Sequence, residues 1–311
     1  MITTVTLNVA IDKLYTVEDY KPYEVMRVKE CTATAGGKGL NVTKVIKLLD
    51  EKVVATGFVG GHAGGWVLER LDELGIPHSF VKVNGETRTC INIKELQTGK
   101  HTEFLEPGFA LTEKEEEQFV AHYKELLQKS EVLTISGSIP EGIQPTLYNE
   151  LVNLAKKEGK KVIVDTSGAL LSEVIKSKPT LIKPNKDELG ALTEKKLGSL
   201  EEIADMAQKL QKTGIPIVAI SLGKDGVLVA CEEGVYQGIP PKIEAVNTVG
   251  CGDSMIAGFA VGLAKKEDME TTIRRAVAVS AANALTTATG SFVVEDYNKL
   301  LEQVLVKKFR A

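Results

Sequence analysis

Short apolar runs alternate with segments of helical spacing from residue 112 to residue 305, and this alternation constrains the fold more than any other feature of the chain. Residues 132–135, 162–164 and 216–222 are rich in β-branched side chains and have the length of buried strands. Strands that alternate with helices form a mostly parallel sheet covered by helices on both faces. We therefore expect an α/β fold built on a doubly wound, mostly parallel sheet.

The first third of the chain carries a second, smaller set of strand patterns. Residues 13–34 lack helical spacing, and residues 15–17 and 25–28 resemble short strands on either side of a polar turn. Residues 86–106 alternate between apolar and polar side chains, as strands do. We expect these two stretches to form a small β-sheet lid. Because no repeat, low-complexity tract or linker divides the chain, residues 1–311 are predicted to form a single domain.

Three helices are expected at the carboxyl-terminal end of the chain. Residues 254–265, 271–287 and 295–305 carry apolar side chains at helical spacing. A basic segment, residues 307–310, follows the third of them. We therefore expect the chain to close with an amphipathic helix that has a basic end.

Composition and charge exclude several classes of protein. With a net charge of −4, the chain lacks the basic surface expected of a nucleic-acid-binding protein. The four cysteines include no Cys-x-x-Cys pair, and together with four histidines they indicate neither a zinc site nor a disulfide framework. No apolar run approaches the ~20 residues of a membrane span, and the first residues carry no basic targeting region. We expect a soluble, cytoplasmic protein without a nucleic-acid or membrane partner.

Polar residues and glycines follow the predicted strands at the edge where open α/β sheets bind ligands. The positions concerned are Asp12, Ser138, Asp165, Lys183, Asn185, Glu188, Ser221, Gly223, Gly226 and Asp253. Because the carboxyl ends of parallel strands meet at one edge of the sheet, we expect these residues to share one site.

Two glycine-rich loops each precede a predicted helix. In the first, residues 248–254, Gly250 and Gly252 flank Cys251 and Asp253 follows at once. Backbone amides at such a turn, together with the positive end of a helix dipole, suit an anion such as phosphate. Asp253 is then either a base that takes a proton from an attacking hydroxyl or the N-cap of an ordinary helix. This stretch alone favours neither interpretation.

The second loop, residues 36–39, holds Lys38 among three glycines. A lone lysine is usually solvated, but its place among glycines at a helix start favours contact with an anion. Asn41, one turn into the helix, offers a donor and an acceptor to a sugar hydroxyl. The loop has the spacing of neither a P-loop nor a dinucleotide-binding loop, which disfavours a nucleotide-dependent dehydrogenase.

Together these groups suit phosphoryl transfer. Positive charge would neutralise the moving phosphoryl group, a carboxylate would act as the base, and Mg²⁺ would lie near the nucleotide phosphates. Asp165 and Glu188 could position Mg²⁺ through water, since Mg²⁺ gives up its waters reluctantly. Arg88, in the small sheet, is either a solvated side chain or, if that sheet covers the site, a bidentate phosphate clamp.

Four segments in order resemble the motifs of the PfkB carbohydrate kinase family, which has a ribokinase-like fold. They are residues 35–42, Asn185-x-x-Glu188, Ser221-Leu222-Gly223-x-x-Gly226 and residues 248–254. The likeness extends from the first strand to the last helices. Within the family, residues 6–12, 85–88, 102–108 and 135–138 are most similar to the kinases of ketohexose phosphates.

The resemblance implies a role for each residue at the sheet edge. Substrate-binding residues would be Asp12, Gly37, Lys38, Asn41, Arg88 and Ser138, with Lys38 and Arg88 holding the phosphate that the sugar already carries. Asp253 would be the catalytic base, and the amides of Gly250, Cys251 and Gly252 would complete the anion hole. The ATP-binding residues would be Lys183, Asn185, Ser221, Gly223, Gly226 and, near the adenine, Asn283, with Mg²⁺ held through water by Glu188 and Asp165. A homodimer through the lid sheet is implied as well.

The implied reaction is the ATP-dependent phosphorylation of a ketohexose monophosphate to a 1,6-bisphosphate. Residues 86–88 and 102–106 favour tagatose 6-phosphate, phosphorylated at O1, over fructose 1-phosphate, phosphorylated at O6. The further alternative is a sugar-phosphate-binding protein without catalysis, which would be expected to lose the base that Asp253 supplies.

Two residues depart from the family pattern. Val9 stands where the family commonly has proline, and Cys251 stands where it commonly has alanine or serine. Both are small enough to keep the loops, so we expect activity to be retained. Because a cysteine at a helix N-terminus gains thiolate character, we expect thiol reagents to inactivate the kinase and ATP to protect it.

Overall fold

The computed structural model describes residues 1–310, in which two β-sheets are combined with ten α-helices. The strands are β1 (Ile2–Thr6), β2 (Ala10–Val17), β3 (Glu30–Gly36), β4 (Val53–Gly60), β5 (Val81–Val83), β6 (Arg88–Glu95), β7 (His101–Leu105), β8 (Val132–Ser136), β9 (Lys161–Asp165), β10 (Leu181–Ile182), β11 (Ile217–Ser221), β12 (Val227–Cys231), β13 (Gly234–Ile239) and β14 (Leu305–Arg310). The helices are α1 (Lys38–Leu48), α2 (Gly61–Glu73), α3 (Glu113–Leu127), α4 (Thr146–Lys157), α5 (Gly168–Val174), α6 (Lys186–Thr193), α7 (Leu200–Lys212), α8 (Cys251–Lys265), α9 (Met269–Ala284) and α10 (Val294–Gln303). Short 3₁₀ turns lie at Ile175–Ser177 and Gly223–Asp225.

The main sheet has ten strands in the order β14-β13-β12-β11-β10-β9-β8-β1-β4-β5. The strands from β11 to β5 run parallel, whereas β12, β13 and β14 are antiparallel. Within β1, Ile2 pairs with Val53 on one side and with Val132 on the other. The predicted α/β fold with a mostly parallel sheet is confirmed.

Helices cover both faces of this sheet because successive side chains of each strand point to opposite faces. Ile2 joins the core beneath α1, α8 and α9, together with Phe259. Val5 joins the core beneath α3 and α4, together with Phe119. Helix α8 is buried on all sides from Asp253 to Leu263, which fixes the place of its N-terminus. No helix within residues 1–310 has both the length and the apolarity to cross a bilayer.

The second sheet has four strands in the order β3-β2-β6-β7. Ala10 pairs with Gly36 on β3 and with Arg88 on β6, so this sheet begins beside the start of α1. The prediction of a strand at residues 25–28 is wrong. Val25 is fully exposed, and the β2–β3 pairing begins only where Thr16 meets Glu30, which leaves the preceding residues without a partner strand.

The carboxyl-terminal segment also differs from the prediction. Helix α9 ends at Ala284 and α10 ends at Gln303, earlier than expected. The basic segment is part of β14, an edge strand in which Val306 pairs with Gly238 of β13. The pairing partner lies far away in the sequence, so local spacing could not reveal it. Lysines on β14 are typical of an edge strand that resists pairing with another chain.

Candidate active site

The site is organised around Asp253 in the first turn of α8. Gly250, with φ of 81°, is the N-cap of this helix, and no side chain caps it. Asp253 is therefore not the N-cap, and the interpretation of residues 248–254 as an ordinary capped helix start is wrong. Asp253 is 6% exposed, and Asn41 Nδ2 donates a hydrogen bond of 2.9 Å to its Oδ2. A buried carboxylate thus lies in the first turn of a helix that no side chain caps, although the Cys251 amide already donates to Thr248 O at 3.3 Å.

The surroundings of Asp253 raise its pKa towards neutral pH. Burial, and then the nearby Asp165 carboxylate, raise its pKa to about 6, although Lys38, Asn41 and Lys183 act in the opposite direction. A carboxylate with a pKa near the working pH can accept a proton and release it again. Asp253 has the properties of a general base.

Two lysines and Asp165 form a charged group next to Asp253. Lys183 Nζ lies 3.4 Å from Asp165 Oδ1, and both side chains are buried. Lys38 Nζ lies 4.0 Å from Asp165 Oδ2 and is 45% exposed. The pKa of Lys38 is raised, chiefly by Asp165 and further by Asp253 and Glu188. The site therefore combines an accessible cation with three carboxylates that raise its pKa, of which Asp165 is in contact distance.

A second part of the site is built around Asp12 on β2. Its Oδ2 accepts a hydrogen bond of 3.2 Å from the backbone amide of Gly37, the N-cap of α1. A Cβ at Gly36 would lie 2.2 Å from Asp12 Cγ, so only glycine leaves room for this carboxylate. Burial raises the pKa of Asp12, and the Gly37 amide and then Lys44 and Arg88 lower it.

Arg88 and Lys38 have different neighbours. The Arg88 guanidinium donates to the carbonyl oxygens of Glu106 at 2.9 Å and of Asn8 at 3.1 Å, and its Nε is buried without a partner. Arg88 lowers the pKa of the Asp12 carboxyl, whereas the pKa of Lys38 is raised chiefly by Asp165. The expectation that both cations hold the phosphate of one sugar stays a prediction, and the carboxylate beside the Lys38 ammonium is Asp165, at 4.0 Å.

Asn8 is a site residue that the sequence analysis missed. It is buried, its Nδ2 donates to Ser138 Oγ at 3.2 Å and to Pro107 O at 3.0 Å, and its carbonyl accepts from Arg88. Asn8 thus connects two of the predicted substrate-binding residues. The available signal was its position just after β1 and four residues before Asp12, within a segment already used for the family resemblance.

The predicted nucleotide residues lie at the ends of neighbouring strands. Lys183 directly follows β10, and Asn185 forms a parallel bridge with Ser221 at the end of β11. Gly223 and Gly226 have φ of 60° and 89°, which bends the chain sharply after β11. These residues share the edge that also holds Asp253.

Asn185 and Glu188 form a reciprocal capping box at the start of α6. Glu188 N donates to Asn185 Oδ1 at 2.8 Å, and Asn185 N donates to Glu188 Oε2 at 2.9 Å. Within residues 1–310, no three His, Cys, Asp or Glu side chains gather closely enough to hold a metal ion by themselves. Asp165 Oδ2 lies 4.0 Å from the Lys38 ammonium, and Glu188 is near enough to raise the pKa of Lys38 as well. This arrangement fits a Mg²⁺ ion that keeps its waters and is held mainly by phosphate oxygens.

Asn283 has a different place from the one expected. Its side chain is fully buried, and its Nδ2 donates to Val249 O at 3.0 Å. Its Oδ1 accepts hydrogen bonds from Gly290 N, Ser291 N and Ser254 Oγ. Because both ends of the amide are used within the protein, Asn283 supports the loop before α8 and leaves no group for an adenine.

Cys251 also differs from the expectation. Burial raises the pKa of its thiol, the Asn283 amide lowers it, and Asp253 raises it. The net increase opposes thiolate formation, so the expected thiolate character is wrong despite the helix N-terminus.

Comparisons with known proteins place the whole chain in one family. The description "pfkB family carbohydrate kinase" matches residues 5–296. The structure is similar to phosphofructokinase-2 from Escherichia coli, with a TM-score of 0.90 and 30% identity over 97% of this chain and 98% of that chain. It is also similar to a possible 1-phosphofructokinase from Thermotoga maritima, with a TM-score of 0.86 and 29% identity over 100% of this chain and 99% of that chain.

The fold, the site and these matches define a kinase of carbohydrates, and the chain belongs to the pfkB family. The two solved structures named above are a phosphofructokinase and a possible 1-phosphofructokinase, and within the family the chain is a sugar-phosphate kinase. Both alternatives considered from the sequence, a dehydrogenase and a non-catalytic sugar-phosphate-binding protein, are set aside by this result.

Proposed function

We propose that the protein transfers the γ-phosphoryl group of ATP to a hydroxyl of a ketohexose monophosphate and so forms a 1,6-bisphosphate. The observation that carries this proposal is the placement of Asp253. A buried carboxylate with a pKa of about 6 lies at the N-terminus of α8, with Lys38 and Lys183 close enough to influence its charge. Phosphoryl transfer needs this combination of a base, positive charge and amide donors at one point.

In the proposed reaction, Asp253 accepts the proton of the attacking sugar hydroxyl. The sugar oxygen then bonds to the γ-phosphorus while the bond to the β,γ-bridging oxygen of ATP breaks. The amides of Gly250 and Gly252 would hold the oxygens of the moving phosphoryl group at the positive end of the α8 dipole. The Cys251 amide, expected to join them, would have to give up its 3.3 Å hydrogen bond to Thr248 O. A Cβ at Gly252 would lie 3.2 Å from Lys183 Nζ, so glycine keeps the lysine close to this position.

Several buried polar atoms without partners support a sugar ligand on the other side of the site. Asn41 Oδ1, Asn8 Oδ1 and Arg88 Nε make no hydrogen bond within the protein. Buried polar groups are normally satisfied, so a ligand or water is expected at each. We propose that Asp12 and Asn41 bind sugar hydroxyls, that Ser138 and Gly37 line the same pocket, and that Arg88 binds the sugar's phosphate.

We propose that ATP binds along the strand ends, at Lys183, Asn185, Ser221, Gly223 and Gly226. Asp165 and Glu188 would hold Mg²⁺ through water, where the ion would neutralise the phosphate charge. Lys38, whose ammonium lies 4.0 Å from Asp165 Oδ2, would then also lie near the phosphates. Its accessible ammonium suits the γ-phosphoryl better than the distant end of the sugar.

Tagatose 6-phosphate is the proposed first substrate, on the resemblance of residues 86–88 and 102–106 to tagatose-6-phosphate kinases. Two other substrates have specific support. The T. maritima neighbour is a possible 1-phosphofructokinase, which favours fructose 1-phosphate. The E. coli neighbour has been solved in complex with fructose 6-phosphate, which favours that sugar.

A coupled assay of ADP release with the three sugar phosphates side by side tests the proposal. We expect the highest kcat/KM with tagatose 6-phosphate and formation of a 1,6-bisphosphate as the product. A higher kcat/KM with either fructose phosphate would correct the substrate. No turnover with any of the three would refute the proposed reaction.

A further inference from the structure

Lys44 lies in α1, three residues after Asn41, and the proposed reaction gives it no role. Its ammonium donates hydrogen bonds to the carbonyl oxygens of Ala35 and Thr289, each at 3.2 Å. Ala35 belongs to the segment 35–37, called here the sugar loop, whose Gly37 amide binds Asp12. A single side chain thus spans two segments that are far apart in the sequence.

Thr289 belongs to a turn, residues 289–291, that supports the start of α8. The amides of Gly290 and Ser291 both donate to Asn283 Oδ1, and Asn283 Nδ2 in turn donates to Val249 in the loop before α8. The turn also packs directly on α1, since a Cβ at Gly290 would lie 2.9 Å from Asn41 Cα. Lys44 therefore links the sugar loop, through this turn, to the loop that carries the anion hole.

The positive charge of Lys44 is stabilised by two carboxylates of the site, Asp12 and Asp253. Burial lowers the pKa of the ammonium, while Asp12 on β2 and Asp253 on α8 raise it. A partly buried ammonium that bonds only to carbonyl oxygens is costly unless negative charge lies nearby. The same attraction favours the ionised forms of Asp12 and Asp253, the forms required of a hydroxyl acceptor and a base.

We propose that Lys44 is a positioning residue that joins the sugar loop to the turn 289–291 and supplies positive charge behind Asp12 and Asp253. It acts through these groups and does not touch the substrate. The kinetic consequences rest on the proposed function, whereas the structural ones do not.

Lys44→Met tests the kinetic consequences, because it keeps the length of the side chain and removes both its donors and its charge. We expect kcat/KM for the sugar phosphate to fall about tenfold or more, as for other coupled buried groups, while the KM for ATP changes little. Lys44→Arg should recover most of the loss because it keeps the charge and the donors. Lys47→Met is the matched control, since Lys47 is exposed on the same helix. Unchanged sugar kinetics in Lys44→Met, or an equal rise in both KM values, would contradict the proposal.

A double-mutant cycle tests the charge relation without any turnover. Thermal unfolding is measured for the wild-type protein, Lys44→Met, Asp12→Asn and the double variant. We expect Asp12→Asn to lower the Tm less, or to raise it, when Lys44 has already been replaced. Additive changes in Tm would overturn the proposal; if Lys44→Met does not fold, the same cycle is made with Lys44→Gln. A wild-type protein that phosphorylates none of the three sugars would refute the proposed reaction and leave this cycle decisive for Lys44.

Discussion

At Asp253, the negative charge that the proposed reaction requires lowers the stability of the folded protein. Burial and Asp165 raise its pKa from 3.8 to about 6. The folded state therefore binds a proton more tightly than the unfolded state, and the free energy of unfolding falls as the pH rises from 3.8 to about 6. Above that range the whole cost of the buried charge is present. The loss in free energy of unfolding therefore falls at the position where the proposed reaction needs a base.

Asp253→Asn separates the two effects. We expect kcat to fall about 100- to 10,000-fold because the general base is lost, with little change in the affinity for ATP. At pH 8 we expect the free energy of unfolding to rise by up to about 3 kcal/mol because the buried charge is gone. Steady-state kinetics, ATP titration and denaturant unfolding measure the three quantities. Retained turnover would show that the base lies elsewhere.

The pH dependence of kcat/KM reports the same group in the free enzyme. Asp253 must be ionised to accept a proton, so we expect kcat/KM to decline below about pH 6. Asp165→Asn should move this acid limb to lower pH, because Asp165 raises the pKa of Asp253, even though activity also falls. Asp187→Asn, an exposed substitution on α6 near the site, is the control and should leave the limb in place. A limb unmoved by Asp165→Asn would mean that another group controls it.

The residues of contiguous motifs could be proposed from the sequence, whereas the residues that support them could not. Asp253, Lys38 and Asn41 stand in short glycine-rich segments whose chemistry can be recognised locally. The roles of Lys44 and Asn283 depend on carbonyls and amides brought together only by folding, such as Thr289 O for Lys44. Local sequence patterns hold no information on such contacts. The sequence analysis therefore gave Lys44 no role and expected Asn283 to lie near the adenine.

Helices α8 and α9 pack closely, and glycines on α8 make this possible. A Cβ at Gly258 would lie 2.5 Å from Ala276 Cα, which belongs to the backbone of α9 and cannot move aside alone. In α2, by contrast, a Cβ at Gly65 would meet nothing within 4 Å. Close packing therefore requires glycine at position 258, whereas packing does not require it at position 65.

Gly258→Ala and Gly65→Ala form a matched pair of substitutions. We expect Gly258→Ala to destabilise the protein by about 1–3 kcal/mol through overpacking. It should also lower kcat, since a displaced α8 moves Asp253 and the anion hole. Gly65→Ala should stabilise by about 0.5–1 kcal/mol, because alanine favours a helix and has room there. Denaturant unfolding of both variants checks the signs, and a neutral Gly258→Ala would show that the helices can separate at little cost.

Helices and strands could be predicted where residues close together in the sequence determine them. The apolar runs at residues 132–135, 162–164 and 216–222 form β8, β9 and β11, as expected. The strand β14 (Leu305–Arg310) was not predicted, because its pairing with β13 depends on residues about 70 positions away. The proposed strand at residues 25–28 had the right composition and no partner. Strand formation depends on pairing, whereas helix formation depends mainly on neighbours in the sequence.

At the scale of the whole molecule, the small sheet has apolar side chains without cover. Phe104 and Leu105 on β7 are 52% and 64% exposed, and the first five residues of β3 are exposed. Exposed apolar side chains on a sheet commonly mark a surface that binds another protein. For this chain we propose a homodimer through the small sheet, with a second copy as the partner.

Phe104→Asp and Leu105→Asp test the homodimer, and together they identify the face involved. Adjacent strand residues point to opposite faces of a sheet, so we expect one substitution to give a single-chain species by sedimentation and the other to leave the dimer intact. The monomeric variant should show a raised KM for the sugar phosphate, because Asp12 and Arg88 lie on strands of this sheet and lose their support. Leu305→Asp, 56% exposed on β14 at an edge of the main sheet, is the control for adding a carboxylate to an exposed strand. A dimer that survives both lid substitutions, or a wild-type protein that sediments as one chain, would contradict the proposal.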